Sequence, residues 1–435
     1  MFSQPVINIG MIGHVSDGKS TLTKSLTGVQ TQRYAKEQES NITIRLGYAN
    51  AKIYKCEQCE APGCYYSVGS NQTEKNCKYC KTPGVLVNHV SFVDCPGHNS
   101  FMGTMMNGTS VMDYTITVES AVNKTFPAPQ TVQHLNAIET NSIENVAFIL
   151  NKIDLVNEDT ALCKLDELDE FKKKYKCANA PVIPISAAFD INVDVVCEIL
   201  AKLKKPERIT DSDKLRMNII RSFNINVPGT AIDDLKGGVV GGTILQGTLN
   251  MNDEVYIYPG IIYEDSFEPL KAKVQTMFSE KTPLTQATCG GLIGIGLDID
   301  PGLTGDDALV GNIILKNSKL SNAYITSNIT LIVNLTDSNE IIFNENQNEN
   351  ENNESNSVNY ILNINTNNVK GKVIKKVDEN VFNFELDRPI YIEENDKISI
   401  SVKNIEGLQF IGYGILSDCK ALSSINSAQS ELSKF

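Results

Sequence analysis

The run Ile7-Asn8-Ile9-Gly10-Met11-Ile12 is short and mostly apolar, and it predicts a buried parallel strand. Thr21 to Gly28 reads as a helix. Val90-Ser91-Phe92-Val93 and Val146-Ala147-Phe148-Ile149-Leu150 are two more strand-like runs. Strand and helix patterns alternate to about residue 208, which predicts a doubly wound α/β domain with a mostly parallel sheet over 1–208. The texture changes after Lys204-Lys205-Pro206. Residues 215–315 carry short strands and glycine turns (Gly237-Gly238-Val-Val-Gly241-Gly242, Asn252-Asp253-Glu254-Val255, Cys289-Gly290-Gly291), the pattern of a small antiparallel barrel over 209–318. Ile325–Leu335, Tyr360–Ile364, Val381–Leu386, Lys397–Val402 and Phe410–Leu416 predict a second barrel over 319–420. Asn344–Ser357 is almost purely Asn, Glu, Gln and Ser, cannot bury apolar surface, and is expected to be a disordered loop within that barrel. The tail, 421–435, is polar and gives no signal.

A length of 435 residues fits about three domains. The net charge of −13 excludes a uniformly basic nucleic-acid surface but leaves room for a local basic patch. No apolar run reaches the ~18 residues of a membrane span, so neither a signal peptide nor a transmembrane segment is expected. Cysteines expected to be reduced, together with a nucleotide fold, point to the cytosol.

The strand at 7–12 runs straight into Gly13-His14-Val15-Ser16-Asp17-Gly18-Lys19-Ser20, a complete G-x-x-x-x-G-K-[ST] phosphate loop in its strand–loop–helix context. Alone, the loop indicates only a nucleotide. Asp94-Cys95-Pro96-Gly97, Asn151-Lys152-Ile153-Asp154 and the weaker Ser186-Ala187-Ala188 follow in the order of a guanine-nucleotide GTPase. Gly13 and Gly18 let backbone N–H groups turn toward phosphates at a helix N-terminus, flanked by Ser16, Asp17 and Thr21. Lys19 is expected to reach the β- and γ-phosphates, Ser20 to ligate Mg²⁺, and Asp94 to hold that ion through water. The Gly97 N–H is placed for the γ-phosphate, making its segment a switch. Asp154 can accept two N–H bonds from guanine, and adenine would leave that carboxylate unpaired. Lys152 would lie along the base. His98, next to Gly97, could orient the attacking water, or be a helix-terminal histidine with no role.

Cys56-x-x-Cys59 and Cys77-x-x-Cys80 have the spacing of a four-thiolate structural Zn²⁺ knuckle, with Cys64 a spare. A redox pair is the alternative. Cys95, Cys163, Cys177, Cys197, Cys289 and Cys419 are scattered and read as buried reduced thiols.

These residues resemble the gamma-subunit family of eukaryotic and archaeal translation initiation factor two, relatives of elongation factor Tu. Asn41 to Tyr54 looks like that family's first switch running into its zinc knuckle, and Val90 to His98 looks like its second switch. Ile220–Gly229 and Asp233–Gly242 look like its second domain. The resemblance implies GTP-dependent delivery of initiator methionyl-tRNA to the small ribosomal subunit. It implies alpha and beta partner subunits, GTPase-activating and nucleotide-exchange factors, and no membrane. It also implies Thr43 as a catalytic switch residue and Mg²⁺ ligand, Val15 and Ile42 as an apolar gate around His98, and a tRNA site between the first two domains. Ser16-Asp17 departs from the family pattern and is expected to put a negative charge near the loop's outer side. Rival readings are an elongation or selenocysteine-tRNA factor, a GTP-driven metabolic subunit, and a non-hydrolysing scaffold.

Overall fold

The computed structural model describes residues 4–32, 37, 39, 42–72, 76–264, 266–317, 320, 322–336, 360–394, 396–404 and 407–424. The chain divides into two compact units, one comprising residues 1–207 with two short segments near 281 and 291, the other nearly all of the remainder.

In the first unit, strands β1 (Ile7–Ile12), β2 (Gly47–Lys55), β3 (Tyr65–Gly69), β4 (Val85–Asp94), β5 (Tyr114–Ser120), β6 (Glu144–Asn151) and β7 (Val182–Pro184) form one sheet in the order β3-β2-β4-β1-β5-β6-β7. From β4 to β7 neighbours pair in parallel, whereas β2 runs antiparallel to both β3 and β4. Helices α1 (Lys19–Thr27), α2 (Met102–Thr109), α3 (Pro129–Thr140), α4 (Glu158–Lys172) and α5 (Val193–Lys202) connect them. Every residue of β1 is buried, which explains its mostly apolar pattern; each buried aliphatic side chain contributes about 1.5–3 kcal/mol. Two boundaries differ from expectation. Helix α1 begins at Lys19 rather than Thr21, so the lysine and Ser20 sit in its first turn. Gly47 to Tyr54, expected to belong to a switch, lies within β2, where pairing with β4 throughout and with β3 from Ala51 onward fixes it.

The second unit holds two antiparallel rings. In the first, Glu254–Ile262, Ile313–Leu315, Arg216–Phe223, Val239–Gln246, Ile293–Leu297 and Ser266–Ser279 pair in that order, and the last closes on the first. Gly241 and Gly242, expected in a turn, lie inside Val239–Gln246: a Cβ on Gly242 would come 1.9 Å from the Asn218 carbonyl oxygen, so the close strand approach requires glycine. The second ring is Ala323–Leu335, Val381–Glu393, Asn367–Asp378, Tyr360–Ile364, Lys397–Asn404 and Gly407–Ala421, closed. Asn367–Asp378 is a strand that the hydrophobic pattern does not reveal, because its Lys370, Lys372, Lys375 and Lys376 are all exposed and mask the alternation. Between the rings pack Tyr258, Phe267, Ile313, Ile325 and Tyr391. Half-buried Arg216 bridges across to Glu393 at 2.8 Å and Asp396 at 3.4 Å. In the described part of the tail, Ser423–Ser424 pair in parallel with Ser266–Phe267 of the first ring. Asn344–Ser357 lies outside the described residues.

Candidate nucleotide site and metal centre

The loop after β1 curls because Gly13, Ser16 and Gly18 all take positive φ (137°, 64° and 96°). Gly18 admits no side chain: a Cβ there would lie 2.1 Å from Asn151 Nδ2. Asn151 does not point outward toward a base. Its Nδ2 donates to the Asp17 carbonyl at 2.8 Å, and its Oδ1 accepts from the Ala187 amide at 3.0 Å. One side chain thus ties the phosphate loop to the 151–154 and 186–188 segments. Ser186 and Ala187 are buried, while Ala188 and Asp154 are exposed. Lys152 has φ 63° and lines a cavity of about 360 Å³ together with Val15, Ser16, Gly18, Lys19, Ser20, Thr21, Ile42, Thr43 and Gly97. A larger cavity of about 600 Å³, lined by Ile138, Ile143, Val146 and Pro181 among others, contains none of the motif residues.

Lys19 is 5% exposed, and its Nζ donates to the carbonyls of Gly13 (3.0 Å) and His14 (2.6 Å). Burial pulls its pKa down, against the attraction of Asp17, Asp94 and Glu119. Gly97 presses on the loop from the second switch: a Cβ would lie 2.5 Å from both Lys19 Nζ and the Val15 nitrogen. Ser20 Oγ and Thr43 Oγ1 stand 3.1 Å apart. Asp94, fully buried at the end of β4, accepts the Thr31 hydroxyl at 2.5 Å through Oδ2, while Oδ1 is buried without a hydrogen-bond partner. Burial pushes the Asp94 carboxyl up, opposed by the Ser20 and Thr31 hydroxyls and Lys19. Two hydroxyls and an unsatisfied carboxylate oxygen are the hard oxygen donors that Mg²⁺ takes, partly through water, so the donor set fits that ion. His98 is exposed and caps the turn Asn99–Phe101, its Nδ1 accepting from the Ser100 amide at 3.1 Å.

Asp17 departs from expectation. It is fully buried rather than on the outer side. Oδ2 accepts from the His14 amide at 3.0 Å and Oδ1 from Asn123 Nδ2 at 2.9 Å, so the side chain is a brace inside the loop.

The thiols of Cys56, Cys59, Cys77 and Cys80 all lie within 4.8 Å of one another. Cys56 and Cys80 are 3.3 Å apart, Cys59 and Cys77 3.8 Å, close to the ~3.8 Å edge of a tetrahedron with Zn–S near 2.3 Å. The Thr82 hydroxyl beside Cys80 pulls that thiol down to about 6, toward the thiolate a metal requires. Cys64 is buried outside the cluster. None of the eleven cysteines forms a disulfide, but Cys163 is exposed and Cys177 and Cys419 are half-buried, so the scattered ones are not uniformly interior. Four soft thiols at these separations fit zinc.

Residues 4–206 match the elongation factor Tu GTP binding domain, 237–315 match elongation factor Tu domain 2, and 327–416 match the C-terminal domain of initiation factor eIF2 gamma. The chain is 39% identical over 428 residues to eukaryotic translation initiation factor 2 subunit gamma of Schizosaccharomyces pombe, covering 96% of this chain and 95% of that one. The chain belongs to the eukaryotic translation initiation factor 2 gamma family. Its Encephalitozoon cuniculi relative is 37% identical (96% and 94% covered), and the Drosophila melanogaster protein, named subunit 3, is 38% identical (98% and 91%). The fold is also that of a bacterial selenocysteine-specific elongation factor EF-Sec (TM-score 0.69, 20% identity, 96% of this chain and 59% of that one). The elongation factor SelB from Methanococcus maripaludis, solved with the GTP analogue GppNHp, gives a TM-score of 0.66 at 20% identity (98% and 81%). As a gamma-family member the chain is a GTP-binding translational GTPase; its GTP-binding domain implies GTP/GDP and Mg²⁺. Among the described residues no helix is long and apolar enough to cross a membrane.

Proposed function

We propose that this chain, with alpha and beta partner subunits, carries initiator methionyl-tRNA to the small ribosomal subunit in its GTP form and releases it on hydrolysis. The supporting observation is the meeting of Ser20 and Thr43, hydroxyls from the phosphate loop and the first switch, beside the buried Asp94 carboxylate. Ser20, Thr43 and, through water, Asp94 would hold Mg²⁺, which would supply charge neutralisation to the bound phosphates. Lys19 leaves the Gly13 and His14 carbonyls for the phosphates, and the Gly97 amide senses the γ-phosphate. Asp154 reads guanine, with Lys152 along the base, and Asn151 holds the base loop on the phosphate loop. Val15 and Ile42 flank the route of His98 to the water. Domains of 1–208, 209–318 and 319–420, a cytoplasmic setting, and regulation by GTPase-activating and exchange factors complete this reading.

The test is tRNA affinity with GDP and with a non-hydrolysable GTP analogue, partner subunits present. The analogue should tighten methionylated initiator tRNA by about 1–3 kcal/mol, and Thr43→Ala should shrink the difference. Equal affinities in both states would overturn nucleotide-gated carriage.

A further inference from the structure

Beneath the phosphate loop lies a second carboxylate. Glu119, on β5, is completely buried, as is Asp17. Asn123 stands between them. Its Nδ2 donates to Asp17 Oδ1 at 2.9 Å and to Glu119 Oε2 at 3.3 Å. Glu119 Oε1 accepts from the Ala128 amide at 3.2 Å, anchoring the pair to the start of α3. From the loop itself, His14 and Lys19 face this pair. From the end of β4, Asp94 and Cys95 face Lys19, and from α3 comes His134. His134 adds no cation: its Nδ1 accepts from the Gly13 amide at 3.2 Å, and burial holds its pKa down near 3. Cys95 is kept neutral by burial. Lys19 therefore shares its positive charge among three buried carboxyls, Asp17, Asp94 and Glu119.

We propose that Glu119 and Asn123 are positioning residues for the phosphate loop, acting through Asp17, and that Glu119 takes a proton from solvent when nucleotide phosphates bind. This rests on the phosphate loop binding guanine nucleotide. The geometry supplies the coupling. Asp17 Oδ2 closes the turn on the His14 amide, so its position sets the curl of residues 13–18. Bound phosphates draw Lys19 away from the pair and add negative charge above it, which raises the cost of two ionised carboxylates sharing one amide. Burial first, and Asp17 second, have already raised the Glu119 carboxyl from 4.5 to about 7. A raised carboxyl pKa means that the folded chain keeps a proton which the unfolded chain gives up between pH 4.5 and about 7, so ionising Glu119 costs stability across that window. Above about 7, nucleotide must restore that proton.

GDP affinity measured from pH 6.5 to 8.5 should fall with rising pH, approaching tenfold per unit at the upper end, as one linked proton requires. Glu119→Gln, uncharged at every pH, should remove that slope, and Asn123→Leu should weaken GDP binding. Calorimetry of GDP binding to the wild-type chain at pH 7.5, in two buffers of different ionisation heat, should show uptake of about half a proton or more. An unchanged slope in Glu119→Gln, or no uptake by the wild-type chain, would overturn the proposal while leaving nucleotide binding intact. Absence of GDP binding at every pH would overturn both this and the functional reading beneath it.

Discussion

The phosphate loop and the cysteine knuckle are both built from tight turns that await a ligand, yet they are held in opposite ways. The loop is braced by the protein itself: Asp17 to the His14 amide and Asn123, Asn151 to Asp17 and Ala187, His134 to Gly13, and Gly97 pressed against Lys19. The knuckle has local bonds, among them Cys56 to Cys64, Cys77 to Thr82 and the Thr82 hydroxyl to Cys80, around four thiols facing one another. Thiol–thiol contacts are weak, so a zinc ion held by the four thiols would supply the main tie between Cys56–Cys59 and Cys77–Cys80. A binding loop that must exchange its ligand is preorganised, whereas a structural loop can leave its organisation to an ion that never departs.

The largest expected effect lies on the metal-held side. Purified chain should contain one zinc, bound by Cys56, Cys59, Cys77 and Cys80. Structural zinc is worth on the order of 10 kcal/mol or more, so Cys56→Ser or Cys77→Ser should empty the site and open the 56–80 segment to protease. Cys64→Ser should keep its zinc. Equal zinc loss in Cys64→Ser and Cys56→Ser, by metal analysis, would sink the ligand assignment. If chelation loosened the phosphate loop as much as the knuckle, the contrast between them would fail.

What the sequence made legible divides along the same line. Motifs whose chemistry needs fixed residue types at fixed spacing were readable: the loop, the D-x-x-G, the N-K-x-D and the paired C-x-x-C. The strands at 7–12, 90–93 and 146–150 were readable because burial on both faces leaves an apolar run. Side-chain direction was not. Asp17 looked like a surface charge because its partners, Asn123 and the His14 amide, come from a distant element and from the loop's own curl. Glu119 carried no signal at all, since one carboxylate in the strand Tyr114–Ser120 has nothing in its neighbourhood to mark it as buried. The strand Asn367–Asp378 was hidden by its lysines, although closing a ring needs it.

A smaller effect is expected at the base-reading end of the braced loop. Asp154 is exposed, whereas its neighbour Asn151 is locked into the brace. Substitution at the two positions should therefore differ in kind. Asp154→Asn should lower GTP affinity and raise xanthosine triphosphate affinity, because the Asn amide donates to the xanthine carbonyl that replaces guanine's amino group; each direction is worth roughly 1–3 kcal/mol. Asn151→Ala should weaken both nucleotides alike, since it loosens the loop rather than the reading of the base. Competition binding with the two nucleotides separates them. A continued preference of Asp154→Asn for GTP would show that Asp154 does not read the base.

The smallest effect on binding, and one confined to rate, is expected at His98. It stands outside the brace, exposed, at the cap of Asn99–Phe101. Its Nδ1 accepts from the Ser100 amide, which assigns the ring proton of the neutral imidazole to Nε2. The free nitrogen then presents an N–H, suited to orienting a water through that water's oxygen rather than to removing its proton. Phosphoryl transfer gains most from such positioning, and a positioned group contributes about 10²–10⁴-fold in rate. His98→Ala should therefore slow hydrolysis by about that factor, most visibly in the ribosome-stimulated reaction, while GTP affinity moves by less than about twofold. Single-turnover hydrolysis and equilibrium GTP binding, measured on the same preparation, decide the matter. If affinity fell as steeply as rate, His98 would be holding the loop after all, and the brace would extend through the second switch rather than ending at Gly97.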